Sequence, residues 1–164
     1  MTDKTATTQV YRVYIKAPAQ AIWDAITSPD WTDRYGYGGR VEYALKPGGR
    51  YCHHASAEMK SFGMPEEMIV GEVIEADPPR KLVHTWHPLW SEESAAEKPT
   101  RLTYEILEHQ GGVCTLTIYH DVEGAPSVGR MISGGGDPVQ GGGGWPWVLS
   151  DLKSLLETGK RMAA

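Results

Sequence analysis

Residues 145–159 read WPWVLSDLKSLLETG, and this stretch decides the fold. Val148, Leu149, Leu152, Leu155 and Leu156 recur three and four positions apart, so a helix over Trp145–Thr158 gathers them into one apolar stripe. Asp151, Lys153 and Glu157 are expected on its outward side. Gly159 suits the left-handed residue that ends a helix, and Lys160 and Arg161 follow where the helix dipole favours positive charge. No other segment of the chain reads as a long amphipathic helix. A stripe of this length needs an apolar face to cover, and the upstream sequence supplies one as a sheet.

Working back from the helix, the residues alternate with the period of strands. Strands are predicted over Gln9–Lys16, Val41–Leu45, Tyr51–Ala55, Met68–Glu75, Lys81–His87, Leu102–Leu107 and Val113–His120. Lys46-Pro47-Gly48-Gly49 is a turn, because proline presets one dihedral and glycine admits a positive φ. Asp77-Pro78-Pro79 and His109–Gly112 form two further corners. Short connections of this kind give an antiparallel meander, which has one face to cover. After the first strand, Pro18 opens a helix carrying Ala21, Ile22, Ala25 and Ile26. Ser28-Pro29-Asp30 ends it, and Trp31–Tyr35 starts a short second helix.

Three segments carry no clear period. Ser56–Glu66 reads as polar and irregular, and Ser91–Pro99 as a charged loop. Nine of the 21 positions from Gly124 to Gly144 are glycine, so the region from about 121 to 144 reads as a structureless lid or connector. The expected architecture is a single α+β domain over residues 1–164, with its core at about 8–160. A curved antiparallel sheet of six or seven strands wraps a long C-terminal helix, with one or two short helices after the first strand.

Composition narrows the function. The 164 residues are 40% hydrophobic and 23% charged, as in ordinary globular domains. The net charge of −5 and the lack of any Lys/Arg stripe argue against nucleic acid. Cys52 and Cys114 are too few for a disulfide framework and read as buried thiols. The N-terminus has no apolar signal core, no run spans a bilayer, and the chain contains no Asn to glycosylate. The expected location is cytoplasmic. Six Trp and eight Tyr stand against one Phe, and such rings suit the wall of a half-wet pocket.

Strand alternation assigns that wall. Tyr51 and His53, then Leu82, His84 and Trp86, then Tyr104, then Leu116, Ile118 and His120 share the apolar faces that look toward the last helix. Trp145 or Trp147 and Leu149 close the space from the helix side. The expected partner is therefore a small hydrophobic molecule. His84, His120 and Tyr104 are the only candidates for acid–base chemistry, as in a cyclase or isomerase, and binding is expected rather than catalysis. His53 and His54 point to opposite faces, as do His84 and His87, so no metal is expected. No cofactor motif appears. Gly129–Gly136 lacks the Lys-Ser/Thr of a phosphate loop, and no G-x-S-x-G elbow is present.

Several segments together resemble a known superfamily. They are Ile15-Lys16-Ala17-Pro18 with Ile22–Thr27, Trp31 with Tyr35, Pro47-Gly48-Gly49, Gly71–Glu75 with Pro78–Leu82, Thr85-Trp86, and Gly144-Trp145 with Leu149–Lys153 and Leu156–Gly159. Their order and spacing over residues 8–160 resemble the SRPBCC (START/Bet v 1-like) superfamily, in the branch named after the C-terminal domain of the Hsp90 ATPase activator Aha1. The resemblance implies the helix-grip fold. Gly134–Gly144 and Ser56–Glu66 depart from the pattern, being richer in glycine and longer respectively. In Aha1 the domain follows a separate N-terminal domain that this chain lacks, so a chaperone partner is not expected. A homodimer is left open.

Overall fold

The structure is a computed structural model that describes residues 7–162. Seven strands form one antiparallel sheet: β1 (Thr8–Ile15), β2 (Arg40–Tyr43), β3 (Arg50–His54), β4 (Glu67–Asp77), β5 (Lys81–Pro88), β6 (Thr100–Glu108) and β7 (Cys114–Asp121). Their spatial order is β1-β7-β6-β5-β4-β3-β2, so a simple meander from β2 to β7 ends with the first strand added at the far edge. Each predicted strand is present, with its ends moved by one or two residues. The six helices are α1 (Ala19–Thr27), α2 (Pro29–Thr32), α3 (Ala57–Ser61), α4 (Glu92–Ala96), α5 (Pro126–Ile132) and α6 (Gly144–Thr158). This is the helix-grip fold.

The C-terminal helix α6 has the expected register. Leu149, Leu152 and Leu155 are buried, and Gly159 caps it in the left-handed region at φ 77°, with its N–H on the Leu155 carbonyl. Helix α6 packs mainly on β1, while α1 packs on β6 and touches α6. The two helices therefore close the β1-β7-β6 side of the sheet.

One outward assignment on α6 is corrected. Asp151 is fully buried. Its carboxylate accepts from the backbone N–H of Gly36 at 2.8 Å and of Met162 at 2.7 Å, and from the Arg161 guanidinium at 3.1 and 3.2 Å. Asp151 thus ties the loop after α2 to the chain beyond α6. Helical periodicity places Asp151 at the edge of the stripe, and these donors decide that it turns in.

The three aperiodic segments also contain more structure than their composition suggests. Ser56 and Ser91 cap α3 and α4 by accepting from the N–H groups of Met59 and Ser94, which relieves donors that a helix start leaves unpaired. The Gly-rich stretch is neither a structureless lid nor a bare connector. Pro126 opens α5, where its missing N–H costs nothing. The Glu97 carboxylate accepts from the N–H groups of Ser127 and Val128 and from the Ser127 hydroxyl. Val128, Gly129 and Ile132 are buried against the body of the domain. A 3-10 turn follows at Pro138–Gln140, and the Tyr37 hydroxyl donates to Pro138 O and accepts from Gly143 N–H, both at 2.9 Å.

Strands β4 and β5 approach closely at Gly71. A methyl group there would lie 1.9 Å from the Thr85 carbonyl oxygen of β5, well inside van der Waals contact. Gly71→Ala must push β4 and β5 apart. We expect it to destabilise the fold by about 3 kcal/mol in urea unfolding; an unchanged midpoint would show that the strands part freely.

Candidate functional site

Between the β2–β6 part of the sheet and the helices and loops that face it lies a cavity of about 860 Å³. Its strand residues come from β2 to β6, including Val41, Tyr43, Tyr51, Ile69, Trp86 and Tyr104, and none comes from β1 or β7. The other walls are Tyr35 after α2, Met59 on α3, Met131 and Ile132 on α5, and Trp145 and Val148 on α6. The mouth carries Phe62 and Val139, each 80% exposed, and the partly exposed Met64.

The lining is aromatic and uncharged at depth. Trp86 meets Trp90 edge-on at 5.9 Å between ring centroids and Trp145 at 6.2 Å, and Tyr104 meets Trp145 edge-on at 6.2 Å. Four phenols, those of Tyr35, Tyr43, Tyr51 and Tyr104, gather at the inner end. Burial pushes all four above the ordinary tyrosine value, so they remain neutral hydrogen-bond donors. The Tyr35 hydroxyl donates to Ala25 O at 2.8 Å. The Trp86 side chain beside the Tyr51 phenol opposes the upward push without overcoming it. The Arg161 guanidinium reaches the cavity edge, but Asp151 and the Gly36 carbonyl hold it.

Both buried histidines are fully engaged, and the partners fix their tautomers. The Trp145 indole N–H donates to His120 Nδ1 at 3.0 Å, so the ring proton sits on Nε2. That N–H points at Thr100 Oγ1 at 2.8 Å, and the Thr100 hydroxyl passes its own proton to Trp86 O at 2.7 Å. In His84, Nδ1 lies 2.7 Å from the carbonyl of Thr85 and must carry the proton. Nε2 then accepts from the Tyr43 hydroxyl at 3.0 Å. Burial depresses His84 to about 4, against a small upward pull from the Thr85 carbonyl. Burial and the neighbouring His84 depress His120 to about 3. Both rings are neutral, and the lone pair each would need as a base is already occupied.

Of the twelve side chains assigned to the wall by alternation, Tyr51, His53, Trp86, Tyr104 and Trp145 border the cavity. His53 donates from Nε2 to Gly38 O at 2.9 Å. Leu82, Leu116, Ile118 and Leu149 face the same way but lie in the packed core. His84 and His120 sit behind the lining rings, both fully buried. Trp147 faces a separate surface hollow beside Gly135, Pro138 and Met162. Alternation could not find Tyr35, Met59 or Met131, because helices and loops deliver them. Tyr43 was one strand from the named set, and its pairing with Tyr51 across β2 and β3 is the signal that would have included it.

On the outer face, Cys52 lies near His54, and His54 contacts Glu42 at 2.9 Å. Burial, together with Glu67, raises the Cys52 thiol to about 11, so this trio holds no thiolate. Among the described residues, no group of three or more His, Cys, Asp or Glu side chains converges as a metal site. No helix among them is long and apolar enough to cross a membrane.

The solved structures that share this arrangement include Ms6760 from Mycobacterium smegmatis, at TM-score 0.65 and 18% identity over 95% of this chain and 94% of that one. An Hsp90 activator from Plasmodium falciparum, PFC0360w, aligns at TM-score 0.56 and 20% identity, covering 95% and 91%. The Aha1 dimer from Colwellia psychrerythraea aligns at TM-score 0.62 and 16% identity, covering 93% and 98%. At these identities the likeness concerns the fold. No curated protein matches the sequence. Residues 16–157 match the family described as activator of Hsp90 ATPase homolog 1-like protein, and since that is most of the chain, it belongs to this Aha1-like family.

Proposed function

We propose that this domain binds a small, largely apolar molecule in the cavity between the sheet and α6, as a carrier or sensor. The observation that carries the reading is a space of about 860 Å³ walled by Trp, Tyr, Ile, Val and Met side chains, the usual chemistry of a small-molecule site. The volume matches a ligand of ordinary metabolite size. The cyclase- or isomerase-like reading has less support, because the lone pairs of His84 and His120 each face a protein donor. The chaperone-associated reading draws on family membership and on a relative that is an Hsp90 activator, but no residue of this chain adds to it.

The reading is tested with Nile red, a neutral dye whose emission shifts to the blue in apolar surroundings. The wild-type protein is expected to bind it with a saturable blue shift. Met131→Trp, which fills the cavity from α5, is expected to weaken that binding at least tenfold while unfolding at a similar urea concentration. Equal binding by the two proteins would place the dye elsewhere and remove the proposal. Native mass spectrometry of protein purified from cells would then show which molecule is retained.

A further inference from the structure

We infer that the inner end of the cavity selects a neutral, flat molecule bearing a carbonyl oxygen, held by the hydroxyl of Tyr104 and supported by that of Tyr51. The inference rests on the cavity-binding reading and narrows it to a ligand class.

Every buried side-chain nitrogen and oxygen among the described residues has a partner. The hydroxyls of Tyr35, Tyr37 and Tyr43 donate to Ala25 O, Pro138 O and His84 Nε2. Tyr104 lines the cavity, and its hydroxyl makes no hydrogen bond among the described residues, so this group opens on the cavity space. Tyr51 lines the cavity beside Trp86, and its hydroxyl proton has no acceptor among the described residues. The two phenols belong to one electrostatic cluster around His84, with ring centroids 4.1 Å (Tyr51) and 6.2 Å (Tyr104) from that imidazole. Two unspent O–H donors at the bottom of an apolar cavity call for an acceptor on the ligand.

Charge and shape restrict that acceptor. No free cation stands among these phenols. The Arg161 guanidinium at the cavity edge is bound by Asp151, and Glu58 at the mouth is acidic and exposed. A carboxylate entering this space would lose its water without gaining a counter-charge. A neutral carbonyl loses much less and gains the phenol hydrogen bonds. The flanking rings of Trp86, Trp90, Trp145 and Tyr104 present flat apolar faces and edges, which suits a planar ring system.

Three probes of one size separate the outcomes: 2-acetonaphthone, which has a neutral carbonyl; 2-ethylnaphthalene, which has no acceptor; and 2-naphthoate, which is anionic at pH 7.5. Affinities are read by equilibrium dialysis against wild type and Tyr104→Phe. Because the hydroxyl removed has no protein partner, the variant is expected to fold like the wild type. Tyr104→Phe should weaken 2-acetonaphthone by about three- to tenfold and leave 2-ethylnaphthalene within twofold. 2-Naphthoate should bind the wild type at least tenfold more weakly than the ketone. Equal effects of the substitution on ketone and hydrocarbon, or naphthoate binding as tightly as the ketone, would overturn the carbonyl assignment while leaving the cavity reading standing. Failure of both neutral probes to bind would count against the cavity reading itself.

Discussion

Between pH 6.5 and pH 4 the protein is expected to lose on the order of 6 kcal/mol of folding stability. Unfolded, His84 and His120 titrate near 6.5; folded, they take up protons only at about 4 and about 3. Over that interval the unfolded chain binds more protons than the native one, so stability rises with pH and is fully present only above 6.5. Structure explains the cost of protonation. A proton on His120 Nδ1 would face the Trp145 indole N–H, and a proton on His84 Nε2 would expel the Tyr43 hydroxyl proton from its acceptor. His53 shifts in the same direction through burial. The exposed Glu66, Glu67 and Glu157 are held low by their cationic partners, so what they add is lost only below about 4.5. The histidine window is therefore clear of them above pH 5. Urea unfolding followed by tryptophan emission at pH 7, 6 and 5 should show a slope approaching about 2.7 kcal/mol per pH unit for two protons. His120→Gln, which keeps one donor and one acceptor, should remove about half of it. A flat profile between pH 7 and 5 would contradict the neutral, engaged histidines.

The second large effect is expected at Asp151. Asp151→Ala should destabilise the fold by about 4 kcal/mol. The substitution leaves the backbone N–H groups of Gly36 and Met162 without an acceptor and releases Arg161 from the one carboxylate it pairs with. Buried donors left unmet cost about 1–3 kcal/mol each. Asp151→Asn should fall between, because the amide offers one acceptor oxygen and turns a second donor toward the N–H groups. Arg161→Ala should cost less, about 2 kcal/mol, because the two backbone N–H groups still hold the carboxylate although that buried charge loses its counter-ion. If Asp151→Ala unfolds within 1 kcal/mol of wild type, the clamp is decorative.

The architecture was legible because alternation and helical period are properties of neighbours along the chain. The apolar spacing from Val148 to Leu156 and the alternation in Cys114–His120 each specify an element and the face it buries. Depth is a different matter. Leu82, Leu116 and Ile118 share their orientation with Tyr51 and Trp86, but only the last two meet open space. What separates them is where α1 and α6 come down on the sheet, which depends on contacts far apart in sequence. Short helices were hidden for a related reason. The N-terminus of α5 is held by Glu97, thirty residues upstream of Ser127, so glycine content dominated a local reading. Ser56 and Ser91 did carry a local signal, a cap three residues before the N–H it accepts, which polar composition obscured. Asp151 turned inward for its backbone donors, and no spacing rule anticipates those.

The placement of β1 at the edge of the sheet has a kinetic side. Thr8 pairs with Asp121 and Ile15 with Cys114, so the strand made first on the ribosome is completed only after the strand made last. At about 5–20 residues per second the interval is roughly 6–20 s. During it Tyr11, Val13 and Ile15 have no sheet to join, and α6, which packs mainly on β1, has not yet been synthesised. Pairings this distant also slow folding from the denatured state. Closure of the β1-β7 seam thus prepares the edge on which α6 then docks, and only that docking brings Trp145 and Val148 over the cavity.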